Sequence, residues 1–467
     1  MLPLLPLLAL FMPAEPGGEL GPANVNLRLR QQQAVGRGGA GLHPLAQLLR
    51  TSPAGACMPR AGDVPGSADA PGGRLRALLP SSTPFYLDEG PGLEMHAVHA
   101  CLDALLAKMS AGASVRFDDI MPPNKAAYLS DLLILRALRS HPQRVLTPSQ
   151  AALHFTGLTP HASLVANYSC LLATGETHET RMQRATDALR MTVEQTAERR
   201  LYVIMHPSWN WRALGVSLRA LLAQHARSGR FVLATGDRTY AAHVSKIHAR
   251  EAVIIPYLPS ERLALCDEVA PMKLRELSVY FTGNMHRQRG EGRVRFQAIE
   301  GIARGTQRGK FVDRVFRRQS EHRLSYATMA QDCAREMSAS RFCLAPAGDV
   351  PTSRRIPDAM AAGCIPVHVG EFEAMRSNLP FPNHIDWGSS ALFAGSVDCL
   401  SRANTSTALG GVLEAIHPTL LSEASAHVRS TFTRQLSFYP GGGAPSALLQ
   451  ELYISFKDRL GLGHEVK

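Results

Sequence analysis

Long apolar runs are what this sequence most plainly lacks. Its most hydrophobic stretch, residues 1–13, is shorter than the about 20 residues a membrane-crossing helix needs, although a signal-like or anchor-like segment can be this short. No Lys or Arg precedes that stretch; the first basic residue is Arg28. None of the eight cysteines forms a Cys-x-x-Cys pair, so their spacing supports neither a zinc site nor thioredoxin-like chemistry. The GxxxxGKS/T phosphate loop is absent, and so is any Asp-x-Asp pair of the kind that holds a divalent metal. Gly36 to Gly41 matches a dinucleotide fingerprint by letters, but no strand precedes it, so it reads as composition alone. Acidic residues are in the minority, 39 against 50 Lys and Arg, for a net charge of +11. That balance favours acidic partners. Nucleic acid is not expected among them, because no zinc-finger spacing, RNA-binding signature or long basic block occurs.

What is present concentrates between Arg341 and Gly370. Phe342 to Ala345 is an apolar run of strand length, and Pro346, Gly348 and Pro351 then forbid regular structure. Thr352 or Ser353 offers a helix-capping oxygen, Pro357 suits an early helical position, and Gly363 suits a helix end. Ile365 to Val369 is a second apolar run. Two such runs joined by a helix should lie parallel, and ligands on sheets of that kind bind beyond the carboxyl ends of the strands. Ser353, Arg354, Arg355 and Asp358 stand at that point. Arginines at a helix start suit a diphosphate, which guanidinium holds by charge-assisted bonds. Ser353 can donate to the same phosphate, and the Asp358 carboxylate can accept from vicinal hydroxyls such as those of a ribose. The alternative is local, with Ser capping and Arg pairing Asp along one helix turn.

These residues carry a resemblance. Ser353-x-Arg355-x-x-Asp358-Ala359, then Ala362 to Val367, with Phe342-Cys343-Leu344-x-Pro346-x-Gly348 upstream, resembles the signature of the exostosin-like glycosyltransferases. That family commonly has Glu where this chain has Asp358, and often Pro at the place of Arg354. Further pieces follow in the family's order. Val279 to Asn284 followed by Gly292-Arg293-Val294-Arg295 resembles its strand and basic-loop element, and Val253 to Tyr257 the strand that enters its donor domain. Leu379-Pro380-Phe381 and Ile385-Asp386-Trp387 resemble the segment after the core motif. Phe85 to Leu87 and Thr147 to Ala152 resemble its first strand and a positioning helix, so the likeness runs from about Pro84 to Tyr439. One departure stands out: the family's Gly-Arg-Asp-His run has its counterpart at Gly236-Asp237-Arg238, without the His.

The resemblance implies an α/β protein of GT-B type, with two Rossmann-like doubly wound domains facing across a cleft. Strand and helix patterns alternate in keeping with it. The expected layout is the apolar segment at 1–13, then a disordered low-complexity stem over 14–82, rich in Gly, Pro, Ala and Arg. An acceptor-side domain follows over 83–250, a nucleotide-sugar-binding domain over 251–440, and a carboxy-terminal helix over 441–467. The activity implied is inverting transfer of a sugar from a nucleoside-diphosphate sugar, a UDP-sugar, to a glycan or glycoprotein acceptor. Leaving-group charge would then be neutralised without a metal cofactor, by Ser353, Arg354 and Arg355 beside Gly348, with Arg293 or Arg295 as a second cation. Tyr257 or Phe281 could stack near the nucleotide base, but core packing is the expectation for either. A general base should come from the amino-terminal domain; Asp88, Glu89, His206 and Asp237 are candidates, and Asp237 and His206 are the two named. His206 precedes Trp209 and Trp211, which suit either a sugar platform or the core. The family's usual place is the Golgi membrane, with the catalytic part in the lumen. A hetero- or homomeric complex with a related transferase is left open. So is a non-catalytic reading, in which the chain binds glycan or scaffolds another transferase, since the acceptor half departs from the pattern. In a secreted chain Asn167-Tyr168-Ser169 and Asn404-Thr405-Ser406 are glycosylation acceptors, and some of the cysteines other than Cys343 and Cys364 could pair. Cys343 and Cys364 are expected as small core residues on neighbouring strands.

Overall fold

A computed structural model of the chain describes residues 42–65, 84–109, 116–117, 126–195, 200–207, 210–238, 251–266, 269–283, 291–313, 326–348, 350–402 and 404–460. The apolar segment 1–13, the Gly36–Gly41 run and residues 461–467 lie outside them. Within the stretch read from composition as a stem, residues 42–65 are folded. Leu42, Leu45, Leu48 and Leu49 recur at helical spacing along α1 (His43–Arg50), and all four are buried. A disulfide joins Cys57 to Cys399, and the Trp387 N–H donates to the Pro65 carbonyl at 3.1 Å. Composition averaged over the whole stretch hid this short leucine stripe.

Two sheets follow, both wholly parallel. The first comprises β1 (Phe85–Asp88), β2 (Arg144–Val145), β3 (Leu153–Thr156), β4 (Leu201–His206), β5 (Phe231–Thr235) and β6 (Ala252–Ile254), in the order β2-β1-β3-β4-β5-β6. The second comprises β7 (Leu277–Gly283), β8 (Lys310–Asp313), β9 (Ser340–Pro346), β10 (Ile365–Val369) and β11 (Leu392–Phe393), in the order β11-β10-β9-β7-β8. The continuous apolar runs read as strands are buried on both faces, as helix-covered parallel strands must be. β9 and β10 pair parallel with Phe342 opposite Ile365, as expected. The structure moves one boundary: β6 pairs with β5, Ala252 opposite Leu233, and so closes the first sheet instead of opening the second. A three-residue apolar run looks the same in either lobe, and only its pairing assigns it.

Helices α2 (His96–Met109), α3 (Ser130–Arg139), α4 (Pro160–Ser169), α5 (His178–Gln195) and α6 (Gly215–Gln224) accompany the first sheet. The charge-rich α5 went unread in the sequence, yet Met182, Ala185, Leu189 and Val193 make a buried stripe along it. The second sheet carries α7 (Glu291–Arg304), α8 (Tyr326–Ser338), α9 (Arg355–Ala361), α10 (Thr405–Ala415) and α11 (Ser422–Thr431). The last helix, α12 (Ala444–Phe456), buries Leu448, Leu452 and Phe456. Beyond it Arg459 returns to the first lobe, pairing with Glu251 and donating to Gly229 O at 3.2 Å. Two more disulfides, Cys101–Cys170 and Cys343–Cys364, staple the lobes internally. The second corrects the reading of Cys343 and Cys364 as separate core residues: parallel pairing sets Phe342 opposite Ile365, so Cys343 and Cys364, each one residue from that pair, stand side by side. Cys266 and Cys333 form no disulfide among the described residues.

Candidate functional site

The carboxyl ends of the two sheets meet. The Thr352 hydroxyl donates to Gly236 O at 3.4 Å, and the Arg238 N–H donates to Asn378 Oδ1 at 2.6 Å. Between these loops lies a concavity of about 310 Å3, including the part open to solvent, lined by Gly236, Tyr257, Thr352, Ser353, Asn378 and Trp387 among others. The Ser353 hydroxyl in this wall is buried and makes no hydrogen bond. An unsatisfied buried hydroxyl costs about 1–3 kcal/mol, and this one is available to a ligand group in the concavity. Tyr257 also lines the concavity, its ring set edge-on to Tyr128 at 5.6 Å. Burial pushes the Tyr257 hydroxyl pKa up.

Beside the concavity, though not in its wall, two guanidinium groups converge. Arg355 opens α9 and reaches back to β7, where its Nε donates to Thr282 O at 2.8 Å. Its guanidinium lies 5.2 Å from the centre of the buried Phe281 ring, and a side chain on Gly283 would collide with it. Arg295, on α7, donates from Nη1 to Ala347 O at 3.1 Å, next to Gly348. Burial lowers the Arg355 pKa, and the positive charge of Arg295 lowers it further. Gly348 itself makes a tight turn, its N–H donating to Val350 O at 3.0 Å. Phe281 is a core residue as expected. The side chain of Arg293 lies outside the described residues.

The other two signature residues form the local pair left open as an alternative. Arg354 Nε stands 3.4 Å from Asp358 Oδ2. Asp358 Oδ1 accepts the Ser260 N–H at 2.6 Å, tying α9 to the segment that leaves the first lobe. Asp358 is 9% exposed, and its carboxylate faces these protein partners. The cap reading is also corrected. α9 starts at Arg355, its N-cap residue is Arg354 with no side-chain cap bond, and Thr352 spends its hydroxyl on Gly236 instead. Gly363 does end the helix, at φ +60°.

On the facing lobe Asp237 and His206 are both buried. The Asp237 N–H donates to Thr235 Oγ1 at 3.3 Å, and Asp237 directly follows Gly236 of the concavity wall. His206 ends β4; burial lowers its pKa to about 4, and its Nδ1 has no hydrogen-bond partner. Trp211 is not core: it is half-exposed, with the Arg219 guanidinium 4.0 Å from its ring centre. Trp209 lies outside the described residues. Asn378 and Gly283 were not singled out in the sequence as site residues, and only Gly283, in the signature strand, carried a signal that could have marked it.

Two all-parallel sheets with covering helices, meeting at their carboxyl ends, define an α/β fold of GT-B class. The chain belongs to the exostosin family: the Exostosin GT47 domain matches residues 115–408. It is similar to the probable glucuronoxylan glucuronosyltransferase IRX7 of Arabidopsis thaliana, 28% identical over 184 residues, 39% of this chain and 37% of that protein. It is also 28% identical over 148 residues to the probable arabinosyltransferase ARAD1 of the same plant, covering 30% of this chain and 28% of the relative. A probable glucuronosyltransferase of Oryza sativa subsp. japonica is 28% identical over 148 residues, 32% of each chain. The chain thus spans about a third of the length of these curated relatives.

Proposed function

We propose that this chain is a glycosyltransferase that moves a sugar, with inversion, from a nucleoside-diphosphate sugar, a UDP-sugar, to a glycan or glycoprotein acceptor. One observation carries the reading. Arg355 and Arg295 lie at the carboxyl ends of the neighbouring strands β7 and β9, and Gly283 leaves the room that Arg355 takes. Like charges repel, and holding two guanidinium groups together is favourable when an anion sits between them. A diphosphate supplies that anion, and its growing charge as the glycosyl bond breaks is stabilised by the same pair. Ser353 donates its unsatisfied hydroxyl to the donor from the adjoining concavity. No metal is required in this scheme, because fixed cations do the neutralising. The names of the relatives, glucuronosyl- and arabinosyltransferases, support sugar transfer in polysaccharide biosynthesis.

The acceptor hydroxyl needs a base from the first lobe. Asp237 adjoins the concavity and is the better placed candidate; His206 is neutral near pH 7 and a weak base at a pKa of about 4. The near-complete burial of both favours a second reading, a non-catalytic partner that binds glycan or scaffolds a related transferase. Three disulfides support a lumenal, oxidising location such as the Golgi. Among the described residues no helix is long and apolar enough to cross a membrane.

Radiolabelled transfer from a panel of UDP-sugars to oligosaccharide acceptors tests the proposal. Turnover that falls about 10²–10³-fold in Arg355→Ala, as loss of one transition-state donor does, supports the enzyme reading. UDP binding without turnover supports the partner reading, and absence of both removes the site.

A further inference from the structure

The two Asn-x-Ser/Thr triplets differ in the folded chain. Asn167 lies within α4, and its Oδ1 accepts the His178 N–H at 2.7 Å, the first residue of α5. It is half-buried, so a glycan on Nδ2 would have to leave from the seam between α4 and α5. Asn404 is exposed and precedes α10 in a left-handed turn, φ +63°. Its side chain makes no capping bond, although Asn is among the preferred capping residues. Ser406, two residues on, is buried against Gly301 of α7, where a Cβ would collide with the Ser406 hydroxyl. Helical positions two apart do not share a face. The packing that seats Ser406 therefore turns Asn404 outward.

We propose that Asn404 carries an N-linked glycan and that Asn167 carries none. The inference rests on the lumenal location proposed above. In the step, Asn404 Nδ2 attacks the anomeric carbon of an oligosaccharide borne on a lipid diphosphate, supplied by the host's oligosaccharyl-transferring enzyme. The N–C bond forms as the C–O bond to the diphosphate breaks; an amide proton is lost and the lipid diphosphate leaves. That enzyme reads the hydroxyl of the third triplet residue. Ser406 is 5% exposed once folded, so the modification precedes the packing of α10 on α7, and Asn167 stays bare in the folded chain because a glycan there would stop α4 and α5 from closing their seam.

The test expresses the full chain behind a cleavable secretory signal in a eukaryotic host and treats it with peptide N-glycosidase. One mobility step is expected on treatment, absent in Asn404→Gln and intact in Asn167→Gln. A step that survives in Asn404→Gln, or vanishes in Asn167→Gln, overturns the assignment. No step in the parent chain also overturns it, since the supplied signal guarantees lumenal entry. The lumenal location stands or falls separately, on protease protection in microsomes of the chain with its own amino terminus.

Discussion

The guanidinium of Arg355 occupies the space that a side chain at residue 283 would take. Gly283 is the last residue of β7 and Arg355 the first of α9, so the strand's carboxyl end is shaped to let a cation from a neighbouring helix lie across it.

Gly283→Ala should therefore act on ligand binding more than on folding. The colliding atom is the far end of a flexible side chain, which can swing away at little cost to the core. Displacing a charged group by an ångström or so costs up to about 100-fold in rate. Thermal melting close to the parent, with UDP-sugar turnover reduced by that order, is the expected pairing, read by calorimetry and a transfer assay.

Arg355 and Asp358 should separate, one in ligand affinity and the other in stability. Arg355→Ala loses a charge-assisted contact of about 1.5–3 kcal/mol, or roughly 10–100-fold in UDP affinity by titration calorimetry. Arg355→Lys should restore little, because an ammonium lacks the planar fork. Asp358→Ala strands the Ser260 N–H and the Arg354 charge, so about 1–3 kcal/mol of stability should go in denaturant unfolding.

His368 gives a pH signature. With Nε2 protonated and the ring neutral, it donates to Pro351 O at 3.1 Å, holding the loop that leads to Ser353. Burial lowers its pKa from 6.5 to about 4. The unfolded chain therefore takes up the proton first, so the stabilisation is present above pH 6.5 and is lost as pH falls towards 4. His368→Gln should flatten the unfolding free energy over that window; an unchanged slope removes the role.

Cys57→Ser, or mild reduction, should release residues 42–65 from the second lobe. Loss of a bridge closing so long a loop costs about 2–4 kcal/mol, and protease should then cut near α1 first, seen by mass spectrometry.

On the proposed scheme, in which Arg295 and Arg355 supply the charge that a divalent ion supplies elsewhere, transfer should persist in excess EDTA. Activity lost to chelator and regained with manganese or magnesium would replace this scheme.

Much of the fold was legible because parallel strands buried on both faces must be continuous apolar runs. Phe342 to Ala345, Ile365 to Val369 and Phe231 to Ala234 showed themselves that way. The helix α5 was not, because its buried stripe is thin beside its charge. Of the signature residues, Arg355 reaches the end of β7 near Arg295 at the end of β9, whereas Arg354 and Asp358 turn to each other. One helix turn separates those two, and no sequence pattern says whether a pair so spaced faces a ligand or itself.

From the chain alone came the α/β class, the two alternating halves, and the Ser-x-Arg-x-x-Asp loop as the place to look, because local periodicity and turn chemistry are written in neighbouring residues. Tertiary structure decided which sheet owns β6, which cysteines bond, which arginine reaches β7, and that Asn404 faces water while Asn167 holds α5. Each of those depends on groups far apart in sequence meeting in space, and only the folded chain sets their distances.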